Sequence, residues 1–217
     1  MSELPPQSPG IIPTCRACAG RARVEAPLNE DRPGKSADWP RGAIFTIGHS
    51  TLPIDRFLGL LRTYGIERLA DIRTVPRSRR NPQFNADALA GALAECRVDY
   101  LPMPSLGGLR HPRKDSPNTG WRNQGFRSYA DYMQTPAFAD ALEKLIAARG
   151  ETRVAIMCAE ALPWRCHRSL VADALLIRGV PAIDILSNGE SRPHVLTPFA
   201  CVEGMRLTYP PQQPSML

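Results

Sequence analysis

Lysine is nearly absent from this 217-residue chain: 3 Lys stand against 24 Arg, within a net charge of +6. That excludes a lysine-rich polyelectrolyte tail. The cations present are planar guanidinium forks, which grip phosphates and carboxylates bidentately, although genomic base composition can produce the same bias. No apolar run approaches the ~20 residues of a membrane-spanning helix, so no membrane partner is expected. The opening MSELPPQSPG has no basic stretch followed by an apolar one, and no secretory leader is expected. Six cysteines are too few for a disulfide scaffold and suit a reducing cytoplasm.

Hydrophobic residues make up 43%, an ordinary share, and the length suits one domain with a sizeable core. Seven of the 22 prolines fall in residues 1–40, which carry no sustained apolar period. That stretch is expected to be a disordered arm, followed by one domain over 41–217. The arm's charges balance, so the +6 belongs to the domain.

From Arg41 onward, strand and helix signals alternate. Short apolar or β-branched runs predict strands over 43–48, 66–72, 98–103, 152–158 and 181–186. Between them lie helical periods: one opened by Pro53, one capped by Asn85, one from about Tyr129 that restarts at Thr135-Pro136, and one over 169–178. The expected fold is α/β, a mainly parallel five-stranded sheet with helices on both faces. Ligands of such sheets bind beyond the carboxyl ends of the strands.

Four such places carry chemistry. The first, Gly48-His49-Ser50-Thr51, offers backbone N–H groups for an anion and His49 as acid, base or ligand. The second is Asp71-Ile72-Arg73, continuing through Arg77, Arg79 and Arg80. It sets a carboxylate, a candidate general base, among four arginines. The third is Leu106-Gly107-Gly108-Leu109-Arg110, inside a long loop over 104–125. Its glycines permit close backbone approach, and Trp121, Phe126 and Tyr129 interleave with basic residues, as nucleic-acid sites often do. Asp71–Arg80 and the wider stretch Met103–Arg127 together sum to +7, leaving −1 for the rest of the chain.

The fourth place is the most specific. Cys158-Ala159-Glu160 ends the strongest strand, and Pro163, Cys166, His167 and Arg168 lead into a helix. A helix N-terminus lowers a thiol's pKa and attracts anions. Cys158 or Cys166 suits a nucleophile, His167 a proton carrier, Glu160 an acid or base and Arg168 an anion clamp. Zinc on Cys158, Cys166 and His167, with His49 as a fourth ligand, is an alternative, although the spacing is not a standard zinc pattern. No cofactor is otherwise expected. Cys15-x-x-Cys18 in the arm is half a zinc knuckle or a redox pair and is left without a role.

Five segments, in this order, make the chain resemble the family known as domain of unknown function 488. They are Thr46-Ile47-Gly48-His49-Ser50; Asp71-Ile72-Arg73 with Pro76, Ser78, Arg79, Pro82 and Phe84; Leu106-Gly107-Gly108 with Arg110; Phe126 with Tyr129-Ala130; and Cys158-Ala159-Glu160 with Pro163 and Cys166-His167-Arg168. The match covers roughly residues 43–186. The resemblance implies a cytosolic α/β domain with a polar site, and no particular reaction.

Three functions remain open on the sequence. The leading one is an enzyme acting on a phosphate-bearing substrate, a nucleotide or nucleic acid. Asp71 and Glu160 would do acid–base work, with His49 and His167 assisting. Ser50, Arg73, Arg79, Gly107, Gly108, Arg110, Tyr129 and Arg168 would hold the substrate. The second is cysteine-dependent sulfur transfer. A strand-end cysteine before an arginine loop and a helix is similar in layout to rhodanese-like enzymes and cysteine phosphatases. Here, however, six residues separate Cys158 from Arg165, one more than in the phosphatase loop. The third is a nucleic-acid-binding module without catalysis.

Overall fold

The computed structural model describes residues 39–150 and 152–211. The expected arm lies almost wholly outside these residues, as do Cys15 and Cys18. Five strands appear where the apolar runs predict them: β1 (Ile44–Gly48), β2 (Arg68–Asp71), β3 (Asp99–Pro102), β4 (Val154–Cys158) and β5 (Ala182–Ile185). Among the described residues the sheet nevertheless has six strands. Beside β5 runs β6 (Ser191–Pro193), antiparallel to it, and the order is β3-β2-β4-β1-β5-β6. Three residues are too few to show a period, and Pro193 is tolerated because the strand lies at an edge. A small hairpin, β7 (Cys201–Glu203) and β8 (Arg206–Thr208), stands apart from the sheet.

The helices are α1 (Ile54–Thr63), α2 (Ala86–Glu95), α3 (Gln124–Tyr132), α4 (Pro136–Arg149) and α5 (Arg168–Leu176). Asn85 occupies the N-cap of α2 as expected, but its side chain accepts from Ser78 N–H instead of from the helix. Thr135 does cap α4, accepting from Phe138 N–H, with Pro136 in the first turn. The third helix begins five residues before Tyr129, where Asn123 accepts from the N–H groups of Gly125 and Phe126.

The period of two along each strand divides the core into two layers. Phe45, Ile47, Ala155 and Met157 face α1 and α2, whereas Ile44, Val154, Ile156 and Cys158 face α4 and α5. Crossovers between parallel strands are right-handed. The chain steps from β1 outward to β2 and β3, then back to β4 and β5. This reversal puts α1–α2 on one face and α3–α5 on the other. β1 and β4 are neighbours whose following segments leave toward opposite faces. A crevice therefore opens at their carboxyl ends, the place where open α/β sheets bind ligands.

The 104–125 loop is ordered by a polar brace. Ser116 Oγ and Asn118 Nδ2 both donate to Asp131, while Asn118 Oδ1 accepts from Tyr209 N–H. Asn118 is completely buried, and buried polar groups of this kind are held by such partners.

Candidate functional site

One wall of the crevice grows from the ends of β1 and β2. Asp71 Oδ1 accepts from the backbone N–H and Nε–H of Arg73, at 3.1 and 2.8 Å. Its Oδ2 accepts from Arg73 Nη2 at 2.5 Å and from the Tyr100 hydroxyl at 2.7 Å. Four donors thus occupy a carboxylate that is only 2% exposed. Burial, then the bond to Asp71, pushes the Tyr100 hydroxyl well above its ordinary range. Arg73 lies over this carboxylate and extends Nη1 to His49 Nε2, 3.3 Å away.

His49 is 2% exposed and stacks on Phe84 with ring centroids 4.1 Å apart. Its Nδ1 lies 2.8 Å from the Ser50 carbonyl oxygen. That acceptor requires Nδ1–H, so Nε2 is the lone pair that Arg73 meets. Burial pushes the His49 pKa down to about 4, against the Ser50 bond and with a smaller contribution from the Arg73 charge. His49 is a neutral, packed imidazole that fixes Arg73.

The other wall is built by β4 and α5. Cys158 closes β4, and a 3-10 turn over Pro163–Arg165 delivers Cys166 to the start of α5. His167 Nδ1 lies 3.9 Å from Cys158 Sγ and 3.8 Å from Cys166 Sγ. Its Nε2 lies 3.3 Å from the Ile72 carbonyl, which accepts a hydrogen bond from Nε2–H and so leaves the Nδ1 lone pair facing both sulfurs. The two thiols act as a pair. Cys158 hydrogen-bonds to Cys166, and this, aided by the Arg168 charge and opposed by burial, brings Cys166 down to about 7. The second proton, on Cys158, is pushed well up for the same reason and by burial.

Arg168 is fully buried. Its Nη1 and Nη2 donate to the carbonyls of Glu160 and Ala161 at 2.5 and 2.8 Å, while Nε has no partner among the described residues. It shapes the loop after β4. A Cβ at Gly48 would lie 1.8 Å from the Glu160 oxygen and 2.9 Å from Arg168 Nη1, so only glycine lets β1 end against that loop.

Between the walls lies a cleft of about 520 Å³. Cys158, Cys166 and His167 reach it, together with Arg73, Glu160 and Arg165; Val75, Leu109 and Phe126 add apolar lining. Glu160 and Arg165 are exposed. Gly108 covers His167 so closely that a Cβ would lie 2.6 Å from Nδ1.

The structure thus brings Arg73, Gly108, Cys158, Glu160, Cys166 and His167 together, with His49 and Asp71 behind Arg73. The other candidates stand apart from the cleft. Arg168 and Tyr129 are fully buried, and Tyr129 donates to the Leu106 carbonyl and packs beside His167. Arg110 staples its own loop, donating to the carbonyls of Ser105 and Gly107 over the face of Tyr132. Gly107 is packed under Thr74, and Ser50 holds the turn after β1 with a φ of 47°. Arg79 is exposed on the neighbouring loop. Tyr100, Asn123 and Thr74, whose Oγ1 accepts from Leu109 N–H, also belong to the site's surroundings and carry no motif signal in the sequence. A lone tyrosine at a strand start carries no local signal. Arg165, the arginine whose spacing from Cys158 departs from the phosphatase loop, also lines the cleft.

The fold and site define a doubly wound α/β protein with a thiol- and imidazole-floored cleft at its switch point. The chain belongs to the family described as Domain of unknown function DUF488, whose model matches residues 53–175. That span holds Asp71, Gly108, Glu160 and the Cys158–Arg168 motif, and leaves His49 and Ser50 just outside. No curated protein and no solved structure matches the chain. Among the described residues, no helix is long and apolar enough to cross a membrane.

Proposed function

We propose that the cleft is the active site of an enzyme acting on a phosphate-bearing substrate, a nucleotide or nucleic acid. The observation that carries this reading is the pairing of an apolar lining with a charged floor. Val75, Leu109 and Phe126 suit the flat face of a base, while Arg165 and Arg73 suit an anion. Glu160, exposed in the same cleft, is the acid–base group. Asp71 serves as the counter-charge that orients Arg73, because its four acceptor positions are taken. Arg77, Arg79 and Arg80 extend the positive surface along the neighbouring loop. A reducing, cytoplasmic setting belongs to this reading, since Cys158 and Cys166 stand as free thiols.

Binding of a short single-stranded oligonucleotide across a salt series tests this. Affinity should fall linearly in log salt, and Arg165→Ala should flatten the slope by about one unit per lost phosphate contact. Glu160→Gln should preserve binding. Absence of binding at low salt would reject the reading.

A second reading is favoured by the lowered pKa of Cys166, about 7, beside His167. Here the Cys166 thiolate takes the outer sulfur of thiosulfate, forming a persulfide and releasing sulfite. A mass increase of one sulfur on Cys166 supports it, and an unmodified thiol after treatment rejects it.

A further inference from the structure

We propose that Cys158, Cys166 and His167 form a three-ligand site for a zinc ion, open on its fourth side to the cleft. The two Sγ atoms and Nδ1 all lie within 4.8 Å of one another. Zinc bonds of about 2.3 Å to sulfur and about 2.0 Å to nitrogen place neighbouring donors of a tetrahedron roughly 3.5–3.8 Å apart. The observed Nδ1–sulfur separations, 3.9 and 3.8 Å, need only a small inward shift. A catalytic Cys–His dyad would bring the imidazole close to one sulfur. Here it stands equally far from both.

Three further features support a metal. His167 Nε2 faces the Ile72 carbonyl, and a ring so held by its other nitrogen is the usual state of a zinc-bound histidine. The site is anchored at every ligand. Cys158 sits in the sheet, and Cys166 is pinned through its carbonyl to Ser169 and through its N–H to Pro163. Finally, Arg168 is a completely buried cation whose Nε has no partner among the described residues. Among the described residues no carboxylate forms a salt bridge with it. Two thiolates beside it supply negative charge to both the guanidinium and the ion.

Two thiolates and an imidazole are soft and borderline donors, which favour zinc over magnesium or calcium. Tetrahedral coordination leaves one position for water or a substrate atom, on the side where Glu160 and Arg165 stand. His49 is not the fourth ligand, because its Nε2 meets Arg73 and its Nδ1 meets Ser50.

The inference deepens the proposed active site, and its test does not depend on turnover. The full chain, purified under reducing conditions and dialysed, should retain about one zinc per molecule by elemental analysis. Cobalt added to metal-free protein should give the visible absorption of a tetrahedral thiolate complex. Zinc should protect Cys158 and Cys166 from iodoacetamide while leaving exposed Cys201 reactive, an internal control within the same sample. Cys166→Ser and His167→Asn should each weaken zinc binding at least about tenfold. If a variant fails to fold, zinc protection of Cys158 and Cys166, read peptide by peptide on the unaltered chain, still decides. Folded wild type that holds less than about a tenth of an equivalent, shows no cobalt spectrum and gains no protection would overturn the proposal. Zinc binding without oligonucleotide binding would keep the metal site and discard the proposed substrate. The reverse would discard the metal and keep the substrate.

Discussion

Asp71 is a carboxylate whose surroundings, more than its residue type, bear on what it can do. A carboxylate at a strand end in an arginine-rich segment reads as a general base, and the sequence offers nothing to separate that from a counter-ion. What decides is Tyr100, which arrives from β3, and the curl of Arg73 back onto its own strand end. Asp71→Asn removes the charge while Arg73 stays buried, and breaking such a pair from one side costs about 3–5 kcal/mol. Urea unfolding should show that loss, with Tyr100→Phe costing less, on the order of 1.5–3 kcal/mol for one bond to a charged group. His49 acts on the same guanidinium. Its pKa falls from 6.5 to about 4 on folding, so the fold prefers the neutral ring. That contribution is complete above the unfolded value and is lost as pH falls from 6.5 toward about 4.

At the level of elements, α5, β5 and β6 are joined by a second histidine with the opposite sign. His194, one residue beyond β6, lies 2.9 Å from Asp173 on α5 and 3.2 Å from Asp184 on β5. Burial opposes its charge, but the bonds to Asp173 and Asp184 outweigh this and raise its pKa from 6.5 to about 9. This stabilisation is complete below the unfolded value and is lost as pH rises through about 9. Melting temperature should therefore decline on both sides of neutrality, and His194→Gln should flatten only the alkaline limb. The sequence made the long elements readable because four of the five parallel strands keep a buried run and most of the helices keep an apolar face. It hid β6 and the β7–β8 hairpin, which have three residues per strand. It also hid the start of α3, where Gln124 and Gly125 carry no apolar period and only the Asn123 cap marks the boundary.

For the whole molecule, the sheet order explains why the candidate site assembles where it does. Residues from β1, from the end of β2, from the 104–125 loop and from the β4–α5 turn are far apart in sequence. The reversal between β3 and β4 draws them to one crevice. The fourth motif was legible because its residues are local: Cys158, Glu160, Cys166 and His167 lie on one strand-to-helix turn. The roles of Arg110 and Arg168 were not legible, because charge alone cannot distinguish a cation that meets a ligand from one that meets backbone carbonyls. The positive loops flank the cleft, so a polyanion should be drawn to this face at low salt and released as salt rises.

The most direct test of the account is to follow backbone amide shifts while a short single-stranded oligonucleotide is titrated into the full-length protein. The account predicts the largest changes at Arg73, Gly108, Phe126, Glu160, Arg165 and His167, the residues that meet in the cleft. Changes confined to Arg77, Arg79 and Arg80, or gathered around Trp164 and Arg192 on the other side of the α5 turn, would contradict it.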